Sequence, residues 1–353
     1  MSRDKLFEGR RILVTGGTGS LGQVLVRRLL SMEQGMPAEV VVLSRDEAKQ
    51  HYMRLSYMHV QTATDEVIFR NAKDVLRFEI GDVRDFASIA RATRGADIVF
   101  SAAALKQVPT CEYFPWEAVR TNVGGAENIV RAISELDLPV ETVVGVSTDK
   151  ACKPVNVMGM TKAVQERVYV GGNIRKPGCR FINVRYGNVL ASRGSVVPLF
   201  LEQIARGGPV TLTTLDMTRF LLTLDDAVDT IFAAVRGALP GDTYIPRVPS
   251  AKVVDLAMAL IGGRPIETAV TGIRPGEKTH EILLSDEESY RTEVGIEGCY
   301  AMRPMLPELA GHVAAPALAG EYSSADNLMA ADELADFLAR KMPEVVDASY
   351  LEG

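Results

Sequence analysis

The chain has 353 residues, of which 47% are hydrophobic and 24% charged, and its formal net charge is -6. That length supports a large core, either as one big domain or as a main domain with a smaller lobe. The acidic balance speaks against a general nucleic-acid or membrane-surface binder, while leaving room for a local basic pocket around a small phosphate ligand.

In chain order, apolar β-type runs fall at Arg11–Thr15, Glu39–Leu43, Leu76–Ile80, Asp97–Ser101, Thr142–Ser147 and Arg180–Arg185. Helical patterns lie between most of them, at Leu21–Leu30, Phe86–Thr93, Trp116–Leu136 and Gly159–Val170. Short, continuously apolar strands suit a parallel sheet covered on both faces, and the alternation predicts an α/β, doubly wound Rossmann fold. After Arg185 the rhythm breaks. Pro198, Gly207-Gly208-Pro209, Pro240-Gly241 and Pro275-Gly276 punctuate short elements. The predicted organisation is a dinucleotide-binding domain over 1–185, then a smaller C-terminal substrate-binding lobe over 186–300, interleaved with returning sheet elements. A C-terminal extension over 301–353 follows. It carries one helix at Ala330–Arg340, whose Leu334, Phe337 and Leu338 pack on the body or on a partner.

No apolar run reaches the roughly 18 residues of a membrane span. The N-terminus is charged and lacks the apolar stretch of a signal peptide, so a cytoplasmic protein with no membrane partner is expected. Cys111, Cys152, Cys179 and Cys299 form no CxxC pair, which predicts reduced thiols and no metal.

The glycine turn Thr15-Gly16-Gly17-Thr18-Gly19-Ser20-Leu21-Gly22 follows the first strand and opens the first helix. Its glycines let the backbone approach a pyrophosphate, and the helix N-terminus offers that anion free N–H groups. Gly16, Thr18, Gly19, Ser20, Leu21 and Gly22 are therefore candidate cofactor contacts. The second strand ends in Ser44-Arg45-Asp46 rather than directly in an acid. A hydroxyl and a guanidinium there suit the 2′-phosphate of NADP better than the ribose of NAD, unless Arg45 simply pairs with Asp46 or Glu47. Asp82 and Val83 follow the third strand, where Asp82 is a candidate adenine acceptor or a helix N-cap. Ala102 and Ala103 follow the fourth strand and let the cofactor pass close to the backbone. Lys106, in the same loop, points a cation toward the cleft.

Together the glycine turn, "SAAALKQVP" (Ser101–Pro109), "STDKA", "VRYGNV" and "RPGEK" resemble the extended short-chain dehydrogenase/reductase superfamily. The chain looks most like the polysaccharide-biosynthesis branch acting on UDP-N-acetylglucosamine as a C5-inverting 4,6-dehydratase. The resemblance runs from about Arg11 to about Leu284. It implies a tightly bound, recycled NADP, transient oxidation at C4, deprotonation at C5, loss of water from C6 and return of the hydride. By position, Asp149 is the acid and Lys150 the base. That base role requires the Lys150 pKa to fall, and Lys162 and the nicotinamide ring are expected to push it down.

Lys162 is the lysine of the family's YxxxK pair, but Met158 stands in the tyrosine slot. A thioether exchanges no protons, so the acid/base work moves elsewhere, and the pattern resembles an MxxxK dehydratase subgroup. The resemblance also makes Asn188, Val197, Arg219, Arg274 and Glu277 substrate contacts, with 192–198 wrapping the nucleotide of a UDP-sugar. Two other readings stand beside the dehydratase: a 4-epimerase or related keto-sugar enzyme, and a non-catalytic NADP sensor. A homo-oligomer, dimer or hexamer, built on the long helices is expected.

Overall fold

The computed structural model describes residues 5–58, 73–190, 196–311 and 315–350. Six strands occupy the first half: β1 (Arg11–Thr15), β2 (Glu39–Ser44), β3 (Leu76–Ile80), β4 (Ile98–Ser101), β5 (Thr142–Val146) and β6 (Arg180–Val184). They pair in parallel in the order β3-β2-β1-β4-β5-β6, the doubly wound arrangement. The later chain adds β7 (Val210–Leu212), β8 (Thr218–Phe220), β9 (Thr243–Pro246), β10 (Ser250–Lys252), β11 (Thr268–Val270), β12 (Ile282–Leu284), β13 (Thr292–Val294), β14 (Cys299–Met302) and β15 (Tyr322–Ser323). Three of these return to the main sheet. β9 lies parallel beside β6, and the antiparallel pair β14 and β13 closes that edge. The others form two-stranded sheets, β8 with β10, β7 with β11 and β12 with β15.

Every residue of β4 and β5 is buried, as a strand covered on both faces requires. On one face, Val24 and Leu25 of the helix Ser20–Leu30 join Val228, Ile231 and Phe232 of the helix Leu224–Gly237. On the other, Ile89, Ile129, Ile133 and Tyr169 from three helices cover Leu13, Val99 and Val143. Each fully buried aliphatic side chain contributes roughly 1.5–3 kcal/mol by leaving water. A large cleft lies along the carboxyl ends of these strands, where β1, β4 and β5 release their loops.

The predicted single helix over Trp116–Leu136 is instead three pieces. Pro115 starts a short helix, Pro115–Ala118, a wide π turn spans Val119–Val123, and the α-helix proper is Gly124–Glu135. Thr121 and Asn122 in that turn are both buried. The next helix is longer than its apolar pattern suggested, Val157–Arg175, because Asn156 caps it by accepting from Gly159 N at 2.8 Å. The C-terminal helix Ala331–Tyr350 seats Leu334, Phe337 and Leu338 on the body, against Leu190, Val197 and Leu256.

Candidate active site

The glycine turn is pinned by sterics. Gly16 has φ +69°, and a Cβ there would sit 2.7 Å from the Ala103 backbone. A Cβ on Gly22 would sit 2.4 Å from Gly16 O. Turn, helix and the Ala102–Ala103 segment thus pack backbone to backbone, which only glycine permits. Gly19 caps the helix Ser20–Leu30 with no side-chain hydrogen bond, so its first-turn N–H groups remain for an anion. These residues fit a dinucleotide pyrophosphate. Thr18 Oγ1 and Ser44 Oγ lie 2.8 Å apart and join the turn to the end of β2.

The cleft behind this turn has a volume of about 1340 Å³, more than the 300–1,000 Å³ typical of one small-ligand pocket. Gly16, Thr18, Gly19, Ser20, Leu21, Gly22, Ser44, Arg45, Val83, Ala102 and Ala103 line one end. Lys150, Met158, Lys162, Lys106, Asn188, Arg219, Arg274 and Glu277 line the rest.

At its centre Ser147-Thr148 follow β5, and a short 3-10 turn, Asp149–Ala151, presents Asp149 and Lys150. Lys150 Nζ donates to Asp149 Oδ1 at 3.0 Å and to Asn188 Oδ1 at 2.9 Å, and lies 3.6 Å from Glu281 Oε1. Asp149 is fully buried behind the lysine, and Thr148 Oγ1 also donates to its Oδ1 at 2.7 Å. Burial presses the Lys150 pKa down, but the charges of Asp149 and Glu281 more than offset it, and the net shift is upward. The expected lowering of Lys150 is therefore corrected: two carboxylates flank it, and the sequence showed only one.

Lys162 carries the lowered value. Its Nζ donates to Val146 O and, at 2.6 Å, to Gln165 Oε1, and burial pushes it down to about 8 against the pull of Glu166. Met158, one turn earlier, is buried against Cys111 and Ala118 while its edge lines the cleft. Asn122, from the π turn, donates to Leu105 O at 3.0 Å and to Thr161 Oγ1 at 2.9 Å, and accepts from Leu105 N at 2.8 Å. It ties the loop after β4 to the helix that carries Met158 and Lys162.

Behind the pair, Arg185 is wholly buried and donates to both Glu166 and Glu288, with Nη2 to Glu166 Oε2 at 2.7 Å and Nη1 to Glu288 Oε2 at 2.8 Å. Ser147 Oγ donates to Glu166 Oε1 at 2.5 Å, so this network buttresses the strand end from which Asp149 and Lys150 project.

Several assignments change. Asp82 stays outside the cleft lining, because Arg84 grips its carboxylate through Nε and Nη2, and Arg45 lies 3.7 Å away. The helix N-cap is Asp85, not Asp82. Arg45 therefore faces Asp82 rather than Asp46 or Glu47. Val197 points into the core with Leu190 and Leu221, and its neighbour Val196 lines the cleft. Asp149 reaches the cleft only through Lys150. Arg219 is held by Thr218 O at 2.7 Å and Thr279 O at 3.2 Å, with its Nε 3.8 Å from Glu281 Oε1. Residues 192–195 of the expected nucleotide-wrapping segment lie outside the described residues. Among the described residues no cluster of metal ligands occurs and no helix is long and apolar enough to cross a membrane.

Fold and cleft together define an extended short-chain dehydrogenase/reductase. Residues 12–303 match the family described as Polysaccharide biosynthesis protein, and the chain belongs to that family of nucleotide-sugar-modifying enzymes. An "Uncharacterized membrane protein MJ1061" of Methanocaldococcus jannaschii is 42% identical over 298 residues, covering 81% of this chain and 84% of its own length. A protein named UDP-glucose 4-epimerase from Rickettsia typhi is 41% identical over 293 residues, covering 82% of this chain and 81% of its own. The X-ray structure of Pen from Bacillus thuringiensis superposes with a TM-score of 0.82 at 32% identity, covering 95% of this chain and 99% of that one.

Proposed function

We propose that the protein is a 4,6-dehydratase of UDP-N-acetylglucosamine that inverts C5, working with NADP in the synthesis of a surface polysaccharide or glycoconjugate. The observation that carries this reading is the Asp149–Lys150 pair beyond the carboxyl end of β5, with Lys150 facing the cleft beside Asn188 and Glu281 and Asp149 bonded behind it. Elimination of water needs a base at C5 and an acid at C6, and this cluster supplies a lysine hydrogen-bonded to one carboxyl and ion-paired with a second. A nicotinamide dinucleotide, when bound, supplies reversible hydride acceptance. The glycine turn, Ser44 and Arg45 would hold it, and Lys162 would orient its nicotinamide ribose. Lys150 is the base at C5, and Asp149, by resemblance, passes the proton that departs with the C6 hydroxyl. Arg219 and Arg274, with Asn188, Lys106 and Glu277, line the cleft and would hold the diphosphate and sugar, for which paired guanidinium donors are apt.

A second reading is kept because relatives at about 41% identity carry the name UDP-glucose 4-epimerase. Met158 weighs against it, since it leaves no phenol in the slot where such enzymes keep one. Homo-oligomer formation is supported by the exposed apolar side chains Met160 and Val164 on the helix Val157–Arg175 and Tyr113 and Trp116 nearby. A cytoplasmic location remains part of this proposal.

The test is incubation with UDP-N-acetylglucosamine in deuterated water, followed by mass spectrometry and proton NMR. Loss of one water with deuterium at C5 and inverted C5 couplings is the expected result. A changed C4 configuration with no loss of mass establishes the epimerase instead.

A further inference from the structure

We propose that Glu281 is the proton partner of Lys150, the carboxylate that takes a proton from the ammonium and so lets the amine act as a base. The proposal rests on the dehydratase reading. An ammonium cannot abstract a proton, and the two flanking acids hold Lys150 in that form. One of its protons must therefore move before it reaches C5, and the destination must lie in the same water-poor cluster.

Two carboxyls touch the lysine, and they differ. Asp149 Oδ1 already accepts from Thr148 Oγ1 as well as from Lys150, and Asp149 sits below the cleft floor. Glu281 lines the cleft itself, with its Oε1 3.6 Å from Lys150 Nζ. Its backbone is fixed from both sides, since Glu281 N donates to Ser324 Oγ at 2.9 Å and Ser324 N donates to Glu281 O at 2.8 Å. The carboxyl is thus aimed rather than floating. Its Oε2 and Asp149 Oδ2 are both buried and neither has a hydrogen-bond partner among the described residues. Such orphaned acceptors are costly in a structural ion pair and useful in a proton carrier.

The charged groups around Glu281 are Asp149 and Lys150 from the 3-10 turn, Arg219 from β8 and Lys278 from its own loop. His280, adjacent in sequence, is held to Thr218 Oγ1 at 2.9 Å. Burial, together with the neighbouring Asp149, raises the Glu281 pKa above the ordinary carboxylate range, against Lys150, Arg219 and Lys278. A carboxyl tuned upward beside a lysine exchanges a proton with it more readily than an ordinary surface acid does.

The step balances. An N–H bond of Lys150 breaks and an O–H bond forms on Glu281, leaving the electron pair on Nζ. That pair takes the C5 proton, and the C5–H electrons move toward the C4 carbonyl. The proton on Glu281 then leaves through the carboxyl pair with the C6 hydroxyl as water. Lys150 is an ammonium again and Glu281 a carboxylate.

The test compares the wild type with Glu281→Gln and Glu281→Asp, each saturated with NADP. Acetic anhydride labelling of Lys150 against pH, read by peptide mass spectrometry, reports the coupling. Turnover of UDP-N-acetylglucosamine reports its use. In Glu281→Gln the labelling inflection should fall by about one pH unit or more, the loss of an adjacent opposite charge. Its kcat for water loss should fall about 100-fold or more, with KM changed less than about threefold. The acid limb of the wild-type kcat profile should disappear with it. Glu281→Asp should restore the inflection and part of the turnover. An unmoved inflection overturns the proposal, and so does a shifted inflection with full kcat. A wild type that sheds no water from this substrate overturns the dehydratase reading and the chemical step together, while a fully active wild type and a fully active Glu281→Gln overturn Glu281 alone.

Discussion

Replacing Lys162 with methionine should stabilise the protein at neutral pH while it weakens the cleft. Lys162 is buried, and burial lowers its pKa from 10.5 to about 8. At about 1.36 kcal/mol per unit, holding it as an ammonium in the native state costs about 3 kcal/mol at pH 7. Methionine removes that cost but takes a donor away from Val146 O and Gln165 Oε1, which returns about 1 kcal/mol. The net gain is about 2 kcal/mol. Its pH dependence has a definite sign. The native pKa lies below the unfolded one, so below pH 8 both states bind the proton and the native state bears the full cost. As pH rises from about 8 toward 10.5 the native lysine is neutral while the unfolded one is still charged, so wild-type stability rises. By pH 9.5 only about 1 kcal/mol of the cost remains, and the lost hydrogen bonds nearly cancel it. Urea unfolding of cofactor-stripped wild type and Lys162→Met at pH 7 and pH 9.5 measures this, with the cofactor removed so that its binding adds nothing to either. A variant less stable at pH 7, or a difference that does not change with pH, refutes the reasoning.

Arg45→Ala should weaken NADP binding about tenfold or more, the worth of a charge-assisted hydrogen bond to the 2′-phosphate, and leave NAD binding unchanged; parallel equilibrium dialysis of both cofactors reads it, and equal losses would show that Arg45 serves only Asp82. Arg185→Met should cost about 3–5 kcal/mol, because it strands Glu166 and Glu288 as buried charges behind β5. A urea midpoint within experimental error of wild type would show that the network carries no stability.

The glycine turn was legible because its signals are local. A glycine turn between an apolar strand and a helix states its own geometry, and all six of its nominated residues line the cleft. Asp149 and Lys150 were legible for the same reason, as neighbours at a strand end. Glu281 was not. It reaches Lys150 only because β12 pairs with β15 and Ser324 grips its backbone, a contact between distant segments with no periodic signature. Val197 was misassigned by one position, since on the helix Val196–Ala205 a shift of one residue turns a side chain from cleft to core. The helix Leu224–Gly237 was missed although Thr223 and Asp226 form a capping box at its start; that box was the available signal. The π turn at Val119–Val123 carries no sequence mark at all, and it is what brings Asn122 inward.

Met158 changes what the neighbouring lysine can do. In a YxxxK pair the lysine sits beside a phenol and makes it more acidic. Here Lys162 donates to the protein, to Val146 O and Gln165 Oε1, and the thioether packs on Cys111 and Ala118. Lys162 is therefore a cation held in place rather than one half of a proton-transfer couple. Lys150 and Glu281 face the cleft as a proton-carrying pair, with Asp149 behind the lysine. On the dehydratase reading this cluster must serve both the O4 proton and the C5 proton. One lysine with two carboxyls can do so in sequence, because each acid can store what the lysine gives up. A lysine with a single carboxyl could not hold the second proton without solvent. The loss of the tyrosine and the presence of Glu281 are on this argument two sides of one arrangement, and restoring the phenol in Met158→Tyr should lessen the dependence of turnover on Glu281.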